Sequence, residues 1–176
     1  MPRGRRWVLG RAAALLPLAG CGFHAVYGRA GVTAGASADL AAIHVGLLPE
    51  RSGQLLRLAL QERLERGGAG LGYRYDLQLG FALEDLGIAI QRDNSITRER
   101  LIGTADFTLF GNDPSRPTLF GGSARKVDGF DIIDQEFFAA DLERETVVRR
   151  IAEGLADQIS LQLAAYFRRQ SLAKPA

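Results

Sequence analysis

A chain of 176 residues that is 47% hydrophobic and 24% charged has the make-up of one globular body around one core, which excludes a disordered protein and a polytopic membrane protein. Its 22 basic and 20 acidic residues give a formal net charge of +2, but four of the arginines precede Cys21 and no acid accompanies them. Beyond that point 18 basic residues face 20 acidic ones, a net charge of −2, so global basicity makes no case for a nucleic-acid partner.

The first 20 residues read as a secretory leader. Arg3, Arg5, Arg6 and Arg11 form a basic head, Ala12-Ala13-Ala14-Leu15-Leu16-Pro17-Leu18 an apolar run, and small residues follow. The run is shorter than the roughly 20 apolar residues that span a bilayer. Arg5-Arg6 also fits a twin-arginine export signal. Leu18-Ala19-Gly20-Cys21 resembles the lipobox of bacterial lipoproteins, which implies that Cys21 receives a diacylglycerol, that the leader is removed, and that fatty acyl groups such as palmitate anchor the product. Cys21 is the only cysteine, so no disulfide framework is available. The competing reading of Cys21 as a nucleophile with His24 or His44 lacks a scaffold to orient the base.

Gly22 to Ala38 is rich in Gly, Ala and Ser and reads as a tether, with Phe23 and Tyr27 able to dock on the body. Ala41 to Leu47 predicts a short strand closed by Pro49. His44 lies there as a satisfied or solvated strand residue rather than a ligand, with no Cys or carboxylate cluster near it in the sequence. Leu56, Leu60 and Leu64 recur every four residues and predict a helix over 54–66, N-capped by Ser52 and stopped by Gly67 and Gly68.

Tyr73, Tyr75, Leu77, Leu79, Phe81 and Leu83 alternate with polar or small neighbours, the mark of a strand with one buried face in a largely antiparallel sheet. Leu86-Gly87 suggests a bulge, and Asp93-Asn94-Ser95 a turn. The chain returns through a second alternating strand at Leu101 to Leu109 and a third from Leu119 to Val127, making a meander. Around the first turn, Arg92, Arg98 and Arg100, with Arg125 and Lys126 on the neighbouring strand, are candidates for gripping phosphate groups through charge-assisted hydrogen bonds. A solvated hairpin end is the plainer reading of the same residues. Acids at 128, 131 and 134 sit in a predicted loop, but they lack the glycine and bidentate glutamate of a calcium loop and are read as solvation.

Residues 140–169 predict a long helix, with Val147, Ile151, Leu155, Ile159 and Leu163 stepping by four. Gly154 in its interior costs about 1 kcal/mol and points to close approach of a neighbour. Leu161 falls off the apolar stripe and is a candidate partner contact. The elements assemble as an α+β two-layer sandwich, two helices on one face of a mostly antiparallel four-stranded sheet in the order β-α-β-β-β-α. The expected divisions are a lipoprotein signal peptide at 1–20, a lipidated tether at 21–38, a single domain at 39–170 and a tail at 171–176.

This order behind a lipid-modified cysteine resembles the LptE family of lipopolysaccharide-assembly lipoproteins. The likeness is carried by Cys21-Gly22-Phe23 with Tyr27-Gly28, by Glu84-Asp85-Leu86-Gly87-Ile88, by Ser123-Ala124-Arg125, and by Arg144-Glu145, Leu155-Ala156, Ile159, Leu163-Ala164 and Tyr166-Phe167. Ala25 stands where the family often has proline. The resemblance implies a non-enzymatic outer-membrane lipoprotein that plugs the LptD β-barrel, helps it fold and contacts lipopolysaccharide, with no cofactor beyond the lipid on Cys21. Gly22 after the cysteine resembles the sorting pattern of lipoproteins released to the outer membrane.

Two other readings stand beside it. One is a periplasmic lipoprotein adaptor of another envelope machine, binding a peptide along a sheet edge. The other is a lipid-anchored hydrolase, disfavoured because no Gly-x-Ser-x-Gly elbow, catalytic histidine or metal cluster is evident.

Overall fold

The structure, a computed structural model, describes residues 32–64, 72–90, 96–131 and 137–173. The leader, Cys21, the first part of the tether, the glycine stop at Gly67 and Gly68, the turn that carries Arg92, and Asp134 lie outside the described residues. Seven elements follow in order: α1 (Val32–Ala41), β1 (Ile43–Val45), α2 (Glu50–Leu64), β2 (Tyr75–Ile90), β3 (Ile96–Gly111), β4 (Thr118–Asp131) and α3 (Phe137–Ala173). Among the described helices none is long and apolar enough to cross a membrane.

The strands lie side by side in the order β1-β2-β3-β4. β1 pairs parallel to β2, with α2 as the crossover such a pair requires. The other two pairs are antiparallel, so the expected α+β class and mostly antiparallel sheet are what the chain forms. Alternation decides which face is covered. Leu77 on β2 and Leu101, Ala105, Phe107 and Leu109 on β3 are buried, against Leu56, Leu60 and Leu64 of α2 and Val147, Ile151, Leu155, Ile159 and Leu163 of α3. The expected bulge appears as register shifts on either side of Ala89.

Contacts between the helices fix their direction. Arg51 donates to Glu145 and Arg63 to Asp157, each pair 94 residues apart, so α2 and α3 run parallel and in step. The bond to Asp157 holds the Arg63 guanidinium in its charged form against the burial that opposes it. α3 also lies very close to β3. A Cβ placed on Gly103 would come within 2.3 Å of Ile151 Cγ2, so only a residue without a side chain fits there. The expectation for Gly154 is met as well, and the close neighbour is the aliphatic stem of Lys126, 3.1–3.3 Å from where a Cβ would stand.

The boundaries differ from the sequence reading in five places. Residues 32–38, read as tether, form most of α1. Its Gly, Ala and Ser content conceals a helix held by burial of Ala36 and Leu40, and by Asp39, which accepts from Arg74 Nη2 and the Tyr75 hydroxyl. α2 starts at Glu50, two residues before the proposed Ser52 cap. Glu50 takes a left-handed φ of 61°, and Gln54 Nε2 binds the Leu48 carbonyl before the helix. β1 stops at Val45, short of Leu47. Asp128 and Asp131 belong to β4 rather than to a loop and are paired with Arg150 at 2.9 Å and Arg98 at 3.4 Å. α3 runs on to Ala173, into the stretch read as a tail.

Aromatic rings seal the end of the sandwich at the C-terminal half of α3. Phe120 stacks on Tyr166 at 5.0 Å, and Phe167 meets both Tyr166 and Tyr75. Burial raises the Tyr75 phenol pKa above its ordinary value of about 10, and the nearby Asp39 carboxylate adds to this.

Two expectations follow from this packing. Gly103→Ala overpacks the seam between α3 and β3 and lowers stability by about 1–3 kcal/mol, read as a lower urea midpoint; an unchanged midpoint would contradict the close approach. For Tyr75 the unfolded chain loses its phenol proton first, so the stability held by neutral Tyr75 is whole below about pH 10 and is lost as the pH rises further. Tyr75→Phe therefore flattens the alkaline fall in stability measured by denaturant titration at a series of pH values.

Candidate functional site

The helices cover one sheet face and leave the other open, and pairing register lays that open face out row by row. From the β1 end, Asp76 of β2 stands opposite Phe110 of β3, then Gln78 opposite Thr108, Gly80 opposite Asp106, Ala82 opposite Thr104, Glu84 opposite Ile102 and Leu86 opposite Arg100. β4 continues the rows: Gly121 beside Thr108, Ser123 beside Asp106, Arg125 beside Thr104, Val127 beside Ile102, Gly129 beside Arg100 and Asp131 beside Arg98. Even positions of β2 and β3 and odd positions of β4 thus form one continuous surface, because successive side chains on a strand point to opposite faces.

Three of the sequence candidates share this surface. Arg98 and Arg100 are two residues apart on β3, about 7 Å along the strand, and Arg125 on β4 lies two rows further, about 13 Å away. All three are exposed. Arg98 lies 3.4 Å from Asp131. Among the described residues no acid lies within ion-pair distance of Arg100 or Arg125.

Lys126 departs from the group. Paired with Gly103, it lies on the helix-covered face, with its stem across Gly154. Glu99 also faces away from the arginines beside it, since it stands one residue out of phase with them, so it does not neutralise them from their own face.

The sequence reading passed over the apolar side chains between these arginines. Leu86 and Val127 are 49% and 41% exposed, and Ile102 is half-buried between Glu84 and Val127. The available signal was a break in pattern: Ile102 and Val127 occupy positions that alternation assigns to polar residues. This end of the open face therefore offers guanidinium groups spaced around an apolar patch, which suits an amphiphile bearing anionic groups better than a free anion.

The opposite end of the face has another character. Asp76 accepts from His44 Nδ1 at 3.0 Å and from Arg116, while the His44 ring meets Tyr73 edge to face at 5.2 Å. His44 is thus engaged with a carboxylate and half exposed, as expected of a satisfied or solvated strand residue. Among the described residues no group of three or more His, Cys, Asp or Glu side chains is placed to hold a metal ion.

Comparison with known proteins bears on the family and the fold. The family model for LptE, lipopolysaccharide-assembly, matches residues 40–163. None of the curated proteins matches the chain in sequence. A solved lipoprotein structure from Caulobacter crescentus CB15 is similar, with 23% identity and a TM-score of 0.63 over 78% of this chain and 98% of its own. Rare lipoprotein B from Shewanella oneidensis has 17% identity and a TM-score of 0.52, covering 70% of this chain and 92% of its own. Lipoprotein B from Nitrosomonas europaea has 15% identity and a TM-score of 0.52, covering 70% and 81%. These structures share the fold, and the family match spans both layers of the sandwich from the end of α1 deep into α3. The chain belongs to the LptE family of lipopolysaccharide-assembly proteins.

Proposed function

We propose that this protein is a lipoprotein anchored to the outer membrane through Cys21, that it seats as a plug in the LptD β-barrel and assists its assembly, and that its open sheet face contacts lipopolysaccharide in transit. The role is one of binding and assembly, not catalysis. The single observation that carries the ligand part is the open face itself, where Arg98, Arg100 and Arg125 surround Leu86, Ile102 and Val127. Guanidinium groups pair with phosphate oxygens through forked hydrogen bonds, and the apolar patch suits acyl or sugar-ring carbons beside them. Arg92, which follows β2 in the sequence, is a further candidate for the same surface.

The barrel part is supported by family membership and by shape. A sandwich with one uncovered polar sheet face can stand in the water-filled lumen of a large barrel without exposing its core. The leader and lipobox supply the route out of the cytoplasm and the anchor.

Replacing Arg98, Arg100 and Arg125 together by Ser is expected to weaken lipopolysaccharide binding roughly tenfold or more, with the circular dichroism spectrum and urea midpoint unchanged. Lys126→Ser, on the covered face, has much the smaller effect. Unchanged binding by the triple variant would remove the open face as the ligand site. In whole cells, Cys21→Ser is expected to abolish metabolic labelling with a fatty acid, and the wild-type protein is expected to copurify with a large β-barrel after gentle detergent extraction. Recovery of another partner without any barrel would favour the adaptor reading instead.

A further inference from the structure

The sheet has two outer edges, and the structure treats them differently. On β4, the Ser123 carbonyl accepts from Gln162 Nε2 at 2.9 Å and the Arg125 carbonyl from Gln158 Nε2 at 3.2 Å. These glutamines stand one turn apart on α3 and occupy outward-facing acceptors that an added strand would need, so this edge is closed to pairing. Among the described residues β2 has no such cover. β1 pairs with it only from Tyr75 to Leu77, and the last bond runs from Gly46 N to the Leu77 carbonyl at 2.9 Å.

Tyr75 N donates to the Ala42 carbonyl on that same side. Main-chain groups of alternate residues point the same way, so those of Leu79, Phe81 and Leu83 also point outward. Among the described residues none of them meets a partner. Their side chains are only half-buried, although Leu77, the residue before them on the same face, is fully buried.

Beside this stretch a cavity of about 690 Å³ opens between the start of α2, the N-terminal part of α3 and β2, with Leu55, Phe81, Leu83 and Val148 among its apolar walls. Its rim is acidic. Of the charged residues that line it, the acids Glu50, Asp141 and Glu145 outnumber Arg51 and Arg144, a net charge of −1.

We propose that the β2 edge from Leu79 to Leu83 binds an extended polypeptide segment by strand addition, the segment alternating apolar side chains and carrying lysine or arginine at its flanks. Outward amides and carbonyls supply the ladder, the cavity receives alternate apolar side chains, and the rim selects the basic flanks. A second copy of this chain is the poorer occupant, because pairing β2 with β2 brings two net-negative rims together. The inference holds whether or not the open sheet face binds lipopolysaccharide.

The test uses the full-length chain in mild detergent and a synthetic peptide of about ten residues, alternating valine and threonine between paired lysines. Expected are saturable binding and slowed amide exchange at Leu79, Phe81 and Leu83. Binding should fall roughly tenfold or more when alternate peptide amides are N-methylated, which removes ladder bonds without touching the protein, and also when glutamates replace the lysines. Leu83→Pro, which deletes an outward N–H that an edge strand can spare, should weaken binding likewise. Equal binding by the N-methylated peptide, or protection confined to β4, overturns the proposal. Dimerisation through this edge in sedimentation, with no peptide binding, reassigns it to a second copy and overturns it too.

Discussion

Gly103 is the point on which the two layers depend, because α3 comes so near β3 there that a single methyl group would collide with Ile151. A long helix lying that close must present a continuous apolar stripe, and Val147, Ile151, Leu155, Ile159 and Leu163 provide it with essentially no exposed area. α2 is then confined to the remaining strip of the covered face. Its leucines complete the core, and its arginines meet α3 acids at matching heights. The contribution of those surface pairs to stability is small; what they specify is the parallel, in-step arrangement of the two helices.

Covering one face so completely leaves the other free for recognition. Cationic side chains on the covered side are drawn into local duties: Lys126 lies on Gly154, Arg144 meets Asp85 and Arg150 meets Asp128. On the open side Arg100 and Arg125 have no acid within ion-pair distance among the described residues, and the apolar residues between them remain partly exposed. Charged groups left available beside exposed apolar area are the physical requirement for holding an amphiphile, and on the open face they occur at one end. The same covering helix decides the edges. α3 leans over β4 and supplies two glutamines to its carbonyls, while β1 ends after three residues and leaves most of the outer edge of β2 without a neighbour among the described residues.

Most of the architecture was legible because it follows from period. Alternation from Tyr75 to Leu83 and from Leu101 to Leu109, and steps of four in two other stretches, state which side of each element is apolar, and two one-sided helices with a one-sided sheet assemble in few ways. α1 was hidden because Val32–Ala41 has little amphipathic pattern of its own and is held by tertiary contacts of Ala36, Leu40 and Asp39. The start of α2 was misplaced because Ser52 is a good cap in isolation, whereas the side chain of Gln54 secures the buried Leu48 segment further upstream. The acids at 128 and 131 looked like a loop because Gly129 interrupts the apolar pattern, yet β3 carries its partner strand past it.

For the candidate site, residue types could be read from the chain but not their grouping. The sequence by itself determined that arginines crowd near a turn, that one sheet face would be polar, and that the family resemblance lay in the joint order of the elements. Tertiary structure decided that Arg98, Arg100 and Arg125 share a face while Lys126 does not, and that the glutamines of α3 guard one edge and not the other. The physical reason is that the face a residue occupies is local information, set by its parity along a strand. Which strand stands beside it, in what register and beneath which helix depends on contacts between residues far apart in the chain.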